Sequence, residues 1–237
     1  MSDSAYHIPL LNLCLSFFPT VIVIALHIRW SLSALSVGYA LLRMTVQLIL
    51  VGFALNFIFL QDHPLFVGGV LAFMLLASAW IALRPLRQLR RNYFAKTFAA
   101  LSAGGVPVLF FITVFVIHLE PWYMPRYLIP LAGMIFANSM NSVSLCAERF
   151  EAEREKGQPF PQARNTAYQA ALLPLMNSLF AVGLVSLPGM MTGQILSGES
   201  PLLAVRYQIV VMSMLLGAAG ISSAVYLILM ERAPQSA

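Results

Sequence analysis

The sequence predicts an all-helical integral membrane protein with about seven transmembrane helices. Two observations support this fold class. The 237 residues are 59% hydrophobic and only 10% charged, with a mean hydropathy of +0.81, whereas soluble domains carry about 25% charged residues. The chain also contains seven apolar segments, each of roughly 20 residues, which is the length that crosses about 30 Å of hydrocarbon as a helix. Lipid is therefore the predicted solvent for most of the chain.

The predicted helices follow one another along a single transmembrane domain, 1–237. Residues 147–174 form the longest connection, which is long enough for one or two amphipathic helices on the cytoplasmic face. The sixth segment contains Pro188 and Gly189, which can turn its outer half into a broken or re-entrant stretch. The seven segments are 8–28, 35–60, 65–83, 97–119, 128–146, 175–196 and 207–230.

The basic residues predict the orientation, because cytoplasmic loops are enriched in Lys and Arg. If the chain crosses the membrane seven times, eleven Lys and Arg residues of the loops fall on one side, and only Arg126 and Arg206 fall on the other. The N-terminus is therefore predicted outside and the C-terminus cytoplasmic. No Lys or Arg precedes the first apolar run, so we expect the first helix to be retained rather than cleaved. The eleven are Arg29, Arg84, Arg87, Arg90, Arg91, Lys96, Arg149, Arg154, Lys156, Arg164 and Arg232.

The sequence contains no motif or residue pattern that predicts a catalytic site. No GxxxxGK[ST] phosphate-binding motif occurs, so we expect no ATP site and no cofactor in this chain. An intramembrane enzyme would need a nucleophile with its base, or paired carboxylates, at membrane depth. All nine acidic residues fall outside the predicted helices, so we do not expect an enzyme. The net charge of +5 lies mainly in the loops, which favours lipid head groups over a nucleic acid as its partner.

Residues of the connection 147–174 are spaced as in a known ATPase-docking motif. Glu151 and Ala152, followed by Gly157, are spaced as in the EAAxxxG loop of ABC import permeases, a helix–turn–helix unit that docks on an ATPase. A solvated charged loop is the alternative interpretation of the same residues.

A longer resemblance lies further along the chain. The run LPGMMTGQIL at 187–196, with Asn177 before it, resembles the signature of the FetB family, which comprises bacterial iron-export ABC permeases with plant relatives linked to aluminium tolerance. Similarity extends upstream to 129–135, to Asn138 and Asn141, and to Arg43 with Gln47. The resemblance implies a homodimeric permease in the bacterial inner (cytoplasmic) membrane, driven by a separate ABC ATPase subunit that holds ATP-Mg.

The candidate site residues form two groups. The resemblance assigns ATPase coupling to the connection 147–174, where Gly157 takes the place of the glycine turn. Pathway candidates are polar or helix-breaking residues at membrane depth, for which interhelical packing is the alternative role and, for Arg43, snorkelling to the interface. The coupling candidates are Glu151, Ala152, Gly157 and Ala163; the pathway candidates are Arg43, Gln47, Asn138, Asn141, Asn177, Pro188, Gly189, Thr192 and Gln194.

Substrate identity has two interpretations. The resemblance implies export of iron, although the four histidines lie far apart and have no metal-ligand spacing. Arg43 and the amides suit an anionic organic solute such as a nucleotide sugar at least as well, so export of such a solute is the alternative.

Overall fold

The computed structural model describes residues 8–60 and 63–231. These residues form helices, apart from turns and one isolated bridge between Val182 and Ser186, so the predicted all-helical fold class is confirmed. The chain divides into two compact units, Met1–Leu60 and Gln61–Ala237.

The first unit contains three helices, α1 (Leu10–Leu15), α2 (Phe18–Arg29) and α3 (Ala34–Ile58). A turn separates α1 from α2 because Pro19, in the first turn of α2, has no N–H to continue the helical ladder. Ser31 then adopts a positive φ of 56°, and the N–H of Leu32 donates to the carbonyl of His27 at 2.8 Å. This turn reverses the chain, so that α2 and α3 pack against each other.

The second unit holds six further α-helices in its described part. Three of them begin with a proline, whose missing N–H costs nothing in the first turn. Pro107 lies inside α5, and a π-helical turn, Ile112–Val116, continues that helix. The helices are α4 (Pro64–Ala82), α5 (Arg90–Phe111), α6 (Pro125–Glu155), α7 (Phe160–Ala181), α8 (Gly189–Leu196) and α9 (Pro201–Glu231).

Within the described residues, six helical stretches are long and apolar enough to cross a membrane. They overlap the first five and the seventh of the predicted segments. The predicted sixth segment, 175–196, is not one helix, because α7 ends at Ala181 and α8 begins only at Gly189. The count of seven crossings therefore stays a prediction. The six stretches are Leu10–Arg29, Ala34–Leu55, Pro64–Ala82, Arg90–Val116, Pro125–Glu155 and Pro201–Glu231.

Helix α9 forms the centre of the second unit, where it packs against α5, α6, α7 and α8. Its contact with α5 is close at Gly104. A Cβ atom on Gly104 would lie 2.6 Å from the backbone nitrogen of Ser222 and 2.8 Å from the carbonyl oxygen of Ala218. Small residues on both helices thus let the two backbones touch, as is common between helices in membranes.

One end of the second unit gathers the start of α5, the end of α6, the start of α7 and the end of α9. Lys96 Nζ lies 3.9 Å from Met230 Sδ, and the rings of Phe150 and Phe160 are 5.4 Å apart. The basic residues at the start of α5, the end of α6 and the start of α7 therefore lie at the same end, as the predicted topology requires. Arg232, which the topology also places at this end, lies outside the described residues. The orientation of the termini across the membrane stays a prediction.

Candidate functional site

The α6–α7 turn is far shorter than the predicted connection 147–174. Helix α6 extends to Glu155 and α7 begins at Phe160, because Gly157 reverses the chain in a single step. Gly157 has a φ of +79°, its N–H donates to the carbonyl of Arg154 at 2.9 Å, and the N–H of Gln158 donates to the carbonyl of Glu153 at 3.1 Å. These two bonds form a Schellman motif, which closes a helix with a glycine in the left-handed region.

Charged side chains reinforce this turn. Glu153 accepts from Arg149 at 2.9 Å and from Lys156 at 3.2 Å, and Arg154 Nη1 donates to the carbonyl of Gln158 at 2.9 Å. The segment is therefore a helical hairpin with a fixed tip. Docking on an ATPase and a solvated charged segment without a partner both stay predictions for it.

The four coupling candidates do not form one exposed surface. Gly157 is exposed at the tip and Ala152 is half-buried, but Ala163 is fully buried. Glu151 is half-buried and accepts a hydrogen bond from Tyr93 Oη of α5 at 3.1 Å. Glu151 thus has a partner inside the second unit, whereas Gly157 at the tip is exposed.

A row of small residues lies on the buried face of α7. Ala163, Ala167 and Ala171 are each at most 1% exposed, and they recur every four residues on the face of α7 that is buried in the second unit. Methyl side chains at this period let two helices approach closely along their length. The hairpin is therefore tightly packed from its tip to the level of Ala171.

Beyond Ala171, polar side chains line a cavity of about 120 Å³ between α6 and α7. Asn138 Nδ2 donates to the carbonyl of Met134 at 2.9 Å, and the described residues give its Oδ1 no hydrogen-bond partner. Pro174 has no N–H to donate to the carbonyl of Ala170, four residues earlier. The cavity is polar and has room for water. Its lining consists of Asn138, Asn141, Ser142, Leu145, Ala171, Pro174, Leu175 and Ser178.

The structure brings Asn138 and Asn141 together as pathway candidates but not Asn177. Asn177 is exposed and does not line the cavity, whereas the next residue, Ser178, does. The reason is helical periodicity, because Ala171, Pro174 and Ser178 share one face of α7 and Asn177 lies about 100° away from Ser178 around the axis.

The helix break comes earlier than its prolines and glycines predicted. Residues 182–188 leave the helix after Ala181, and Gly183 takes a φ of +82°. Two backbone carbonyls near this break accept hydrogen bonds. That of Ser186 accepts from the N–H of Gly183 at 3.0 Å, and that of Pro188 accepts from both the N–H and the Oγ1 of Thr192 at 3.0 Å.

The other pathway candidates of this segment lie at the start of α8 or within it. Pro188 is the N-cap of α8, Gly189 is its first residue, and Thr192 closes its first turn. Gln194 has a buried Oε1 for which the described residues provide no hydrogen-bond partner. Their place on a pathway stays a prediction.

Arg43 and Gln47 belong to the first unit. They lie one turn apart on α3, and both side chains are exposed. Nothing in the structure tests their predicted role. Nor do the described residues bring three His, Cys, Asp or Glu side chains together as a metal site.

Sequence reasoning missed two residues, Ser178 and Tyr93. Ser178 follows Pro174 by four residues, so helical spacing could have indicated it. Tyr93 had no local signal, because its partner Glu151 lies 58 positions away.

Long apolar helices with a polar cavity between two of them define a multi-pass helical membrane protein. The family model described as "Uncharacterised protein family (UPF0014)" matches residues 10–234. The chain therefore belongs to the FetB/UPF0014 family, which confirms the resemblance found in its sequence.

Three relatives illustrate this membership. The UPF0014 membrane protein slr1647 of Synechocystis is 38% identical over 189 residues, 73% of each chain. The probable iron export permease protein FetB of Escherichia coli is 35% identical over 200 residues, 76% of this chain and 74% of the relative. Protein ALUMINUM SENSITIVE 3 of Arabidopsis thaliana is 33% identical over 200 residues, 78% and 72% of the two chains. No solved structure matches.

Proposed function

We propose that this chain is the permease subunit of an ABC exporter that moves iron across the bacterial inner membrane. In this proposal it pairs with a second copy of itself and with a separate ATPase that binds ATP-Mg and hydrolyses it. The observation that carries the proposal is the polar α6–α7 cavity, whose two walls belong to the same helices as the rigid hairpin tip. Similarity to a probable iron export permease, FetB, supports the choice of cargo.

The chemistry of the cavity suits a hard cation in transit. Amide, hydroxyl and backbone carbonyl oxygens are ligands for hard cations, and the lining residues carry no charge. A pathway must bind its ion strongly enough to admit it and weakly enough to release it. Neutral oxygen donors meet that condition better than a cluster of carboxylates would.

The hairpin supplies a mechanical link between an ATPase and this cavity. From Glu155 to Asn141, α6 is a continuous helix, about 21 Å long at 1.5 Å per residue. Helix α7 packs along α6, and the short side chains on its buried face, such as Ala163 and Ala167, permit close packing, so the two helices should move together. A displacement of the tip would therefore shift the cavity walls instead of bending a loop.

Export of an anionic organic solute is the second candidate function. A groove of about 260 Å³ between α7 and α9 is lined by Arg164, Asn165 and Tyr168 among others. A guanidinium, an amide and an aromatic ring can together bind a phosphorylated or sugar-bearing ligand.

One experiment separates the two candidates. Cells lacking the gene are loaded with iron, and their iron content is measured after complementation with the wild type, with Asn138→Leu, with Asn141→Leu and with Asn177→Leu. Because Asn177 lies outside the cavity, we expect the wild type and Asn177→Leu to lower cellular iron and the two cavity variants to fail.

Immunoblots of the membrane fraction control for the amount of each protein. The Asn138 side chain bonds only within its own helix, so its replacement should leave the fold intact. Iron content that is unaffected by deletion of the gene would reject iron as the cargo and favour the organic solute. Full export by both cavity variants would reject the α6–α7 cavity as the pathway.

A further inference from the structure

The groove of about 260 Å³ between α7 and α9 lies near the end of α9. Its polar side belongs to α7 and its apolar side to α9. Lys96 Nζ lies 3.9 Å from Met230 Sδ, so this is also the end at which α5 begins. The distribution of basic residues predicts that this end is cytoplasmic. The groove is lined by Arg164, Asn165, Tyr168, Ala224, Leu227 and Ile228.

The positive charge of Arg164 has no carboxylate partner among the described residues. The two ion pairs in this part of the chain both belong to Glu153, with Arg149 and Lys156. Arg164 Nε donates to Oδ1 of Asn165 at 3.2 Å, whereas its two Nη groups and the amide nitrogen of Asn165 have no hydrogen-bond partner in the described residues. A guanidinium with both Nη groups available can bind a phosphate through two parallel hydrogen bonds.

The side of the groove that faces Arg164 is apolar. Leu227 is 2% exposed and Ile228 is 46% exposed. Tyr168 lies one turn after Arg164 on α7, and its hydroxyl reaches α9, where a Cβ atom on Gly220 would lie 3.3 Å from it. Tyrosine is enriched where a membrane meets water, because its ring is apolar and its tip is polar. The groove therefore suits a ligand that is anionic at one end and apolar at the other.

We propose that this groove binds an anionic phospholipid from the leaflet at this end of the protein. The lipid phosphate accepts hydrogen bonds from the Nη groups of Arg164 and from the amide of Asn165, and the first part of one acyl chain lies against Leu227 and Ile228. Basic pockets between transmembrane helices on the cytoplasmic side are typical sites for such head groups. A soluble anionic solute shares the charge but does not need the apolar side. The site does not depend on the cargo of the transporter.

Native mass spectrometry of the full-length protein in detergent tests this site. The probes are dioleoyl phosphatidylglycerol, which is anionic, and dioleoyl phosphatidylcholine, which has the same chains and no net charge. We expect the wild type to retain the anionic lipid preferentially. Arg164→Gln should bind it about tenfold more weakly, as expected for the loss of hydrogen bonds to a charged group. Glycerophosphoglycerol, the head group without its chains, should not displace the lipid at equal concentration.

Arg91→Gln is the matched control, because Arg91 is an exposed arginine in the first turn of α5 that does not line the groove. It removes the same charge from the same end of the protein and should leave retention of the anionic lipid unchanged. If Arg164→Gln does not fold, Ala224→Phe serves instead. Ala224 is half-buried in the α9 side, so a larger side chain there should fill the groove and weaken binding without any change in charge.

Four results would overturn the proposal. The first is equal retention of the two lipids by the wild type. The second is an equal loss of binding in Arg164→Gln and Arg91→Gln, as expected for a general attraction between the lipid and the net positive charge. The third is displacement by the head group alone, which would identify a soluble anionic ligand. The fourth is no retained lipid, as expected if a second copy of the chain covers the groove.

Discussion

The hydroxyl of Tyr93 on α5 donates a hydrogen bond to Oε1 of Glu151 on α6 across 3.1 Å. Tyr226 of α9 lies near both residues, and its own hydroxyl is buried without a partner among the described residues. Three helices therefore meet at the end of the unit that also carries the hairpin. Glu151 thus connects the hairpin to the helices behind it, and its predicted contact with an ATPase stays a prediction.

Tyr93→Phe should lower the stability of the protein by about 1 kcal/mol, because it removes one hydrogen bond to a carboxylate that is half-buried and thus partly screened. The measurement is thermal unfolding of the purified protein in detergent. Tyr127→Phe is the control, since Tyr127 is exposed and has no side-chain hydrogen bond among the described residues. If the bond matters, adding Tyr93→Phe to Glu151→Leu should cost little more than Glu151→Leu alone; full additivity would contradict the pairing.

Gly104→Ala should destabilise the protein by about 3 kcal/mol, because the new Cβ would overlap backbone atoms of α9 that cannot move away cheaply. Yield of monodisperse protein and its melting temperature report the effect. Gly69→Ala is the matched control in α4, where a Cβ would meet nothing within 4 Å. It should be neutral or slightly stabilising. Equal behaviour of the two variants would refute the close α5–α9 contact.

Gly157→Ala should cost about 1–2 kcal/mol, because an alanine at φ +79° is strained. If the tip docks on an ATPase, the same change should also reduce co-purification of that subunit. Gly198→Ala is the control, since Gly198 ends α8 in the same Schellman geometry with a φ of +95°. It should show similar strain but leave association unchanged. Equal association of both variants with the ATPase would exclude docking through the tip.

Pro174→Ala should stabilise α7, because it restores the N–H that the carbonyl of Ala170 lacks. It should also slow export, since Pro174 lines the α6–α7 cavity and its replacement would straighten the helix there. Transport into inverted vesicles and the melting temperature are measured together. Pro161→Ala, in the first turn of α7, should change neither by much. Unchanged or faster transport by Pro174→Ala would contradict a role for Pro174 in shaping the cavity.

The lengths of the apolar segments alone predicted most of the long helices, because a helix that crosses lipid must be long and uninterrupted. The same criterion failed at 175–196. Residues 182–187 are nearly as apolar as a helix interior, and their departure from the helix depends on the positive φ of Gly183, a conformation that composition does not reveal.

Site residues could be predicted from the sequence where their positions depend on the spacing within a single helix. Asn138 and Asn141 share a face of α6 by their i,i+3 spacing, and they do line one cavity. The sequence could not show that Glu151 turns towards Tyr93 or that Ala163 is buried, since both depend on contacts between distant segments. The role of Arg43 and Gln47 stays a prediction.

The touching backbones at Gly104 and Ser222 restrict how the second unit can rearrange. If α5 slid along α9, the side chain of Ser222 would collide with the neighbouring turn of α5. These two helices therefore behave as one rigid unit. The hydrogen bond from Tyr93 to Glu151 joins α6 to the same pair of helices near the hairpin. A partner that displaced the hairpin tip would therefore have to move α5, α6 and α9 together, as one rigid body.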